Sequence, residues 1–172
     1  MNLINMMLDK SEIPEKSIGL GGAVGLWEIT NNKIVTLPVY IIYSKQAKDK
    51  ELLKLINSRI NTVRKQIGKL QQFFKEHDFE APVEHNWKKK LNNETFAISG
   101  SILDYEEIAM GMKEHIKAVI GLETEALRNS IMPESRNLIF SLMKEGDDDF
   151  SSFIKLMKDK KWTNNPPTLI QQ

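Results

Sequence analysis

The sequence predicts an all-α protein, a four-helix bundle whose helices run up, down, down and up. Apolar residues recur every three or four positions in three long segments, which is the spacing of one helix face. The first and last connections between helical segments are short, so the helices that they join are antiparallel neighbours. The middle connection is long and has no helical period, as expected for a crossover between the second and third helices.

Composition and charge exclude several classes of protein. The chain has 172 residues, 41% hydrophobic and 27% charged, which is typical of one globular domain. A net charge of +1 argues against a binder of nucleic acid or of anionic membranes, and the lack of cysteine excludes disulfides. No apolar run approaches the roughly 20 residues that span a bilayer. The first ten residues do not have the pattern of a secretory signal, so we expect a cytoplasmic protein.

We expect one bundle domain over residues 21–172, with a short C-terminal tail, after a lead-in segment of residues 1–20. The stretch GLGGAVG, Gly19 to Gly25, is interpreted as a flexible lead into the first helix. A phosphate-binding interpretation fails because no strand precedes it and no Gly-Lys-Ser or Gly-Lys-Thr follows.

The type of the first element, Trp27 to Ser44, is the hardest to predict. Its β-branched and aromatic residues favour strands, and Pro38 disfavours a helix interior. A lone hairpin is only marginally stable, however, and no other segment offers it a sheet. We therefore predict a helix that kinks near Pro38. Its shared face would comprise Val24, Trp27, Ile34, Leu37 and Ile41.

The second helix, about Lys50 to His77, has the clearest pattern. Its core stripe has spacings of three and four and comprises Ile56, Ile60, Val63, Ile67, Leu70 and Phe74. The opposite, polar face is predicted to carry Arg59, Asn61, Arg64, Lys65, Lys69 and Gln72.

The third and fourth helices are predicted over Asp104 to Asn129 and from Pro133 onward. Asp104 is a suitable N-cap, and proline is favoured in a first turn. The stretch EGDDD, residues 145–149, interrupts the apolar pattern of the fourth helix, but the pattern resumes at Phe150. We therefore predict one helix that continues across Gly146 as a solvated turn. The seam of the third helix would comprise Tyr105, Ile108, Met112, His115, Val119, Leu122 and Ala126.

The segment between the second and third helices is long enough to cross the whole bundle. Its 20-odd residues could extend to about 70 Å, whereas a helix of this length spans about 40 Å. A crossover of this kind makes the second and third helices parallel, which is the ferritin-like arrangement.

Three short motifs carry a resemblance to a known family. They are GLW at Gly25 to Trp27, FKEHDFEAPVE at Phe74 to Glu84, and KDKKWTNNPP at Lys158 to Pro167. Together they resemble an uncharacterised ferritin-like family of endospore-forming bacteria related to spore coat protein F. Some members of that family are tandem duplications, whereas this chain looks like a single copy. The resemblance implies the fold and a spore-associated location, and it supplies no catalytic residues.

A di-iron site of this fold needs a Glu from each of two helices and a Glu-x-x-His from each of the other two. The sequence contains no Glu-x-x-His. We therefore predict no di-iron site, no catalytic residues, no cofactor and no enzymatic activity. The alternatives are a small-ligand binding bundle, or a metal-binding oxidase or store with atypical ligands. Those ligands would be Glu28, Glu107, His115 and Glu123.

The charged groups around His115 are interpreted as structural. His115 is expected at the edge of the core, hydrogen-bonded to a carboxylate or a backbone carbonyl, and Glu28 could approach it. A solvated face is expected for Glu114, Glu123 and Glu125, with Lys113 and Lys117 as partners.

The leading hypothesis is a structural or interaction protein that binds protein partners or itself, in which case a homodimer is expected. The basic WKKK, Trp87 to Lys90, is interpreted as a solvated loop tip without nucleic-acid contact. Methionines such as Met110, Met112, Met143 and Met157 are expected to fill the core. Rigid helices would present surface aromatic residues, expected to be Trp27, Tyr40, Tyr43 and Trp162.

Overall fold

Four long helices make up the part of the chain that the computed structural model describes, residues 19–83 and 103–163. They are α1 (Leu20–Gln46), α2 (Lys50–Glu76), α3 (Tyr105–Asn129) and α4 (Pro133–Asp159). Each has 25 or 27 residues and is therefore about 40 Å long. The predicted crossover falls largely on residues 84–102, outside the described residues, as does the WKKK stretch.

The helix directions confirm the predicted up-down-down-up bundle. Helix α1 packs beside α2 and α3, and α4 packs beside the same two helices. Gly25 near the start of α1 lies against Ala126 near the end of α3, while Tyr43 lies over Gly111, so α1 and α3 are antiparallel. The short link between α1 and α2 makes that pair antiparallel as well. Helices α2 and α3 therefore run parallel.

Helix α1 continues through Pro38, which confirms the prediction of a helix over strands. It begins at Leu20, so the glycines at 21, 22 and 25 belong to the helix. The interpretation of this stretch as a flexible lead-in was wrong. Gly25 instead allows α1 and α3 to approach each other closely, because a Cβ added at Gly25 would lie 2.7 Å from the Cβ of Ala126.

The face that α1 buries differs from the predicted one. Ile34 and Leu37 are buried as expected, but Val24 and Trp27 face the solvent. The helix is apolar on nearly all sides, so periodicity could not identify the inner face. The buried side chains of α1 belong to Ala23, Leu26, Ile29, Thr30, Lys33, Ile34, Thr36, Leu37 and Tyr40.

The core of the bundle follows the predicted stripes of the other helices. All six residues of the predicted α2 stripe are buried. Met112 and Met157 are fully buried, and Met110 and Met143 pack against the core, as predicted. Helix α4 continues without a break through Gly146, which confirms the prediction of one long helix. In the described residues, no helix is long and apolar enough to cross a membrane.

The helix ends are fixed by local hydrogen bonds. Asp104 forms a capping box with Glu107 at the start of α3, which confirms the predicted N-cap. A left-handed residue lies two positions beyond the end of α2, Asp78 (φ 56°), and of α4, Lys161 (φ 61°). After each, an aromatic residue donates its backbone N–H to the carbonyl five residues back, as in a Schellman motif. The bonds are Phe79 N–H to Phe74 O at 2.9 Å and Trp162 N–H to Met157 O at 2.8 Å.

Candidate functional site: a buried charge cluster and the outer face of α1

A lysine and a glutamate face each other inside the bundle. Lys33 Nζ of α1 lies 2.8 Å from Glu123 Oε1 of α3, and each side chain is 1% exposed. Burial lowers the pKa of Lys33, and the neighbouring Glu123 carboxylate opposes that shift. The prediction that Glu123 belongs to a solvated face was therefore wrong. A carboxylate can be buried here because the lysine supplies its counter-charge.

A second ion pair joins the other two helices. Arg59 Nη1 of α2 donates to Asp149 Oδ2 of α4 at 2.9 Å, with the arginine side chain 1% exposed. Burial raises the pKa of Asp149, and the Arg59 guanidinium opposes that shift. The prediction placed Arg59 on the polar face of α2. That was wrong, because the carboxylate on α4 allows the arginine to turn inward.

Glu145 extends this ionic network toward the surface. Its Oε2 accepts a hydrogen bond from Gln66 Nε2 at 2.9 Å, and its Oε1 accepts one from Lys69 Nζ at 2.6 Å. Burial alone would raise the pKa of Glu145, but the bonds from Lys69 and Gln66 outweigh burial and lower it. The EGDDD stretch is thus only partly solvated, since Glu145 and Asp149 turn toward α2 while Asp147 and Asp148 are exposed.

His115 is held by two hydroxyl groups of α1. The Tyr40 hydroxyl contacts Nδ1, and Thr36 Oγ1 lies 3.2 Å from Nε2. Because Thr36 donates its own proton to the Asn32 carbonyl, it can only accept from the ring. This assigns the proton to Nε2 and makes Tyr40 the donor to Nδ1. The prediction of a carboxylate or backbone carbonyl as the partner of His115 was wrong. Its predicted position at the edge of the core is confirmed.

The electrostatics of this region favour a neutral imidazole. Burial, followed by the charges of Arg59 and Lys33, lowers the pKa of His115 from 6.5 to about 4. At neutral pH the ring therefore carries no charge. The neutral ring can accept a hydrogen bond from the hydroxyl group of Tyr40, whose own pKa is raised by burial.

Together these ionic side chains form the buried charge cluster, which comprises Lys33, Arg59, Glu123, Glu145 and Asp149. With half-exposed Lys69 the cluster balances three positive charges against three negative ones. Two of its polar atoms, Arg59 Nε and Glu123 Oε2, are buried without a hydrogen-bond partner in the described part of the chain, as is Oε1 of the neighbouring Gln66. The bundle interior is thus neutralised by the chain's own side chains.

The spacing of the core positions contained a signal for this cluster. Buried positions of α2 recur at 52, 56, 59, 63, 66, 70 and 73, so Arg59 and Gln66 occupy regular seam positions. Lys33 occupies such a position in α1, four residues before Leu37 and seven before Tyr40. A search limited to apolar residues passes over these positions, because it assigns every charged side chain to the solvent.

The four candidate metal ligands do not converge on one point. Glu107 caps the start of α3, and Glu123 lies sixteen positions later in the same helix, about 24 Å along its axis. Glu28 is exposed on α1, Glu123 pairs with Lys33, and His115 binds hydroxyl groups. Residues 19–83 and 103–163 contain no group of three or more His, Cys, Asp or Glu side chains suited to a metal ion.

The outer face of α1 carries exposed apolar side chains. Val24, Trp27, Val35 and Val39 are 39–56% exposed, and Glu28 is the one acidic residue among them. Lys33, the one basic residue between Glu28 and Lys45, is buried. The prediction of a surface aromatic residue is confirmed for Trp27. It was wrong for Tyr40, which is buried because it reaches His115, while Tyr43 and Trp162 are half-buried.

The exposed glutamates of α3 behave as predicted. Glu114 pairs with Lys113 at 2.6 Å and with Lys117 at 3.8 Å. The hydrogen bond from Lys113 is the largest cause that lowers the pKa of Glu114. Glu125 pairs instead with Arg128 at 3.1 Å. These contacts lie on the solvent side of α3 and take no part in the buried charge cluster.

Comparison with known proteins supports both the fold and the family resemblance. A family model described as "Protein of unknown function (DUF3231)" matches residues 23–172. The crystal structure of a "putative spore coat protein" from Bacillus halodurans C-125 has a TM-score of 0.75 and 14% sequence identity. That match covers 88% of this chain and 95% of the other.

A second solved structure matches the same part of the chain. It is a two-domain protein from Anabaena variabilis ATCC 29413 with DJ-1/ThiJ/PfpI-like and ferritin-like domains, at a TM-score of 0.66 and 15% identity. The match covers 88% of this chain and 40% of that one. A search of curated proteins found no match. At these identities the two structures establish the fold, a ferritin-like four-helix bundle.

Proposed function

Since the chain belongs to the DUF3231 family of proteins of unknown function, we propose that it is a non-enzymatic structural or interaction protein of the bacterial spore. It binds protein partners, or a second copy of itself, through the outer face of α1. The spore location is supported by the name of the Bacillus halodurans structure, which has the same fold. The binding mode is supported by the apolar side chains of α1 that are exposed among residues 19–83 and 103–163.

The buried charge cluster is the observation that supports a non-enzymatic role. In a metal-binding bundle, inward carboxylates are neutralised by the metal ions. Here Lys33 neutralises Glu123 and Arg59 neutralises Asp149. A divalent cation placed beside these carboxylates would face two buried positive charges at low dielectric, where repulsion between like charges is strong. The interior is therefore better suited to holding the helices together than to binding a reactive metal.

Metal analysis tests this part of the proposal against the metal-binding alternative. Untagged protein is purified in air without chelator and measured by inductively coupled plasma mass spectrometry. We expect only background levels of iron, manganese and zinc. His77→Ala serves as the control for His115→Ala, because His77 lies at the end of α2, away from the cluster. Near-stoichiometric metal that is lost only in His115→Ala would overturn the proposal.

Light scattering at high protein concentration tests the binding face. We expect the wild-type protein to self-associate and a Val35→Lys, Val39→Lys variant to remain monomeric, because lysines on this face oppose its burial. A wild-type protein that is strictly monomeric would contradict self-association and restrict the face to other partners. A fluorescent fusion that stays outside the developing spore throughout sporulation would contradict the spore location.

A further inference from the structure

A groove of about 400 Å³ lies between the first turns of α1 and the end of α2. Its lining residues include the aromatic residues Trp27, Phe74 and Phe79 and two acidic residues, Glu28 and Glu80. Trp27 and Phe79 are 43% and 42% exposed, so both offer side-chain surface to a ligand, while Phe74 is buried. The described residues place aromatic surface and negative charge together here.

The end of α2 builds one wall of this groove. Asp78 adopts a left-handed conformation, and the next residue, Phe79, bonds back to the Phe74 carbonyl. This turn reverses the chain and places Phe79 and Glu80 at the same groove as α1. His77 is fixed at the turn by its bond to the Phe73 carbonyl and by stacking on the Phe73 ring. The wall is thus held by hydrogen bonds and stacking.

The chemistry of the groove favours a cation. An aromatic face attracts a positive charge, and the attraction is strongest for tryptophan. The C-terminal end of a helix carries partial negative charge, and the groove lies at that end of α2. An anionic ligand would be repelled by the two carboxylates, and a neutral ligand would gain only apolar contact with the aromatic side chains.

We propose that the groove receives a lysine or arginine side chain of a partner protein, whose neighbouring apolar residues pack along Val35 and Val39. This inference rests on the proposed function, since it names the chemistry recognised at the same face of α1. Val35 lies eight residues beyond Trp27, about 12 Å along the helix, so an extended segment of a few residues reaches both. The continuation of the apolar face beyond the groove favours a peptide segment over a small organic cation.

The test uses a peptide probe and the indole N–H resonance of Trp27 in the full chain. The probe is Ac-Gly-Leu-Arg-Leu-Gly-NH₂, and its matched neutral control carries citrulline in place of arginine. The resonance is assigned by its loss in Trp27→Phe. We expect the arginine peptide to shift it and to bind at least tenfold more tightly than the citrulline peptide. A Glu28→Gln, Glu80→Gln variant should remove that preference, whereas Glu114→Gln, an exposed carboxylate elsewhere, should retain it.

Each other outcome overturns the inference in a distinct way. Equal binding of both peptides would show apolar docking without recognition of charge, and would leave the proposed function intact. Tetramethylammonium that binds more tightly than the arginine peptide would assign the groove to a small cation instead. No shift with any probe would remove the groove as a binding site. If the wild-type protein self-associated and the Val35→Lys, Val39→Lys variant did so equally well, the outer face of α1 would not be the binding face, and the proposed function would fail as well.

Discussion

Lys33 Nζ lies 2.8 Å from Glu123 Oε1 in the interior of the bundle, and only 1% of either side chain is exposed. A lysine and a glutamate are each costly to bury alone, and together they form a neutral pair. The pair joins α1 to α3, while Arg59 and Asp149 join α2 to α4. Charged contacts therefore link the helices across the core, and the apolar stripes around them provide most of the stabilisation.

Removing one member of the buried pair should be strongly destabilising. Lys33→Met leaves Glu123 buried without a counter-charge, and we expect it to lower the free energy of unfolding by about 3–5 kcal/mol. Urea denaturation followed by circular dichroism measures the loss. The double variant Lys33→Met, Glu123→Leu should recover most of it. The exposed control Lys117→Met should have no measurable effect, and a similar loss there would contradict the argument from burial.

Glycine-to-alanine substitutions should have opposite signs at two positions. Gly25→Ala places a methyl group 2.7 Å from Ala126 Cβ, and we expect a loss of roughly 1–3 kcal/mol from overpacking. Gly68→Ala meets nothing within 4 Å, and we expect a gain of about 1 kcal/mol from helix propensity. Ala126→Gly should rescue Gly25→Ala. Thermal unfolding of the four proteins checks this, and a stabilising Gly25→Ala would show that α1 and α3 lie further apart.

A glycine at the end of α2 should stabilise the protein. Asp78 has a φ of 56°, where a side chain is disfavoured, and Asp78→Gly removes that cost of about 1 kcal/mol. Chemical denaturation should show a higher midpoint for Asp78→Gly and no gain for Asp78→Ala. Lys161→Gly is a second case at the end of α4, where φ is 61°. Losses of stability in both glycine variants would contradict the left-handed assignment.

Mild acid should destabilise the fold through His115. Its pKa is about 4 in the folded protein against an ordinary value of 6.5, so the unfolded chain takes up the proton first as the pH falls. The stability is complete above the ordinary value and declines between pH 6.5 and 4. Because the ring is partly solvated, we expect a loss of about 1–2 kcal/mol over that range.

The measurement for His115 is urea denaturation at several pH values from 7 to 4.5, above the range in which most carboxylates titrate. His115→Gln is the matched control, since it keeps a polar group at the site but does not titrate. We expect a flatter dependence on pH in that variant. Equal slopes in the two proteins would assign the acid sensitivity to other groups.

Much of the bundle could be predicted because each local signal agreed with the others. The stripe of α2, the capping box at Asp104 and the continuation of α4 across Gly146 all follow from residues a few positions apart. The parallel arrangement of α2 and α3 followed from the lengths of the connections. Arg59 and Gln66 also fit the spacing of three and four residues between core positions of α2, but Arg59 was assigned to the polar face because it is charged.

The sequence alone determined helices α2, α3 and α4 through periodicity and capping, and the lengths of the connections determined the helix directions. Helix α1 followed from the absence of a sheet that could receive a hairpin, against its local strand propensity. Only the tertiary structure decided which charges are buried and which face of α1 is free. Burial of Lys33 depends on a glutamate 90 positions away, and exposure of Trp27 depends on where α2 and α3 pack. Such pairings arise between segments distant in sequence, where a charged or aromatic side chain has no local preference that reveals its partner.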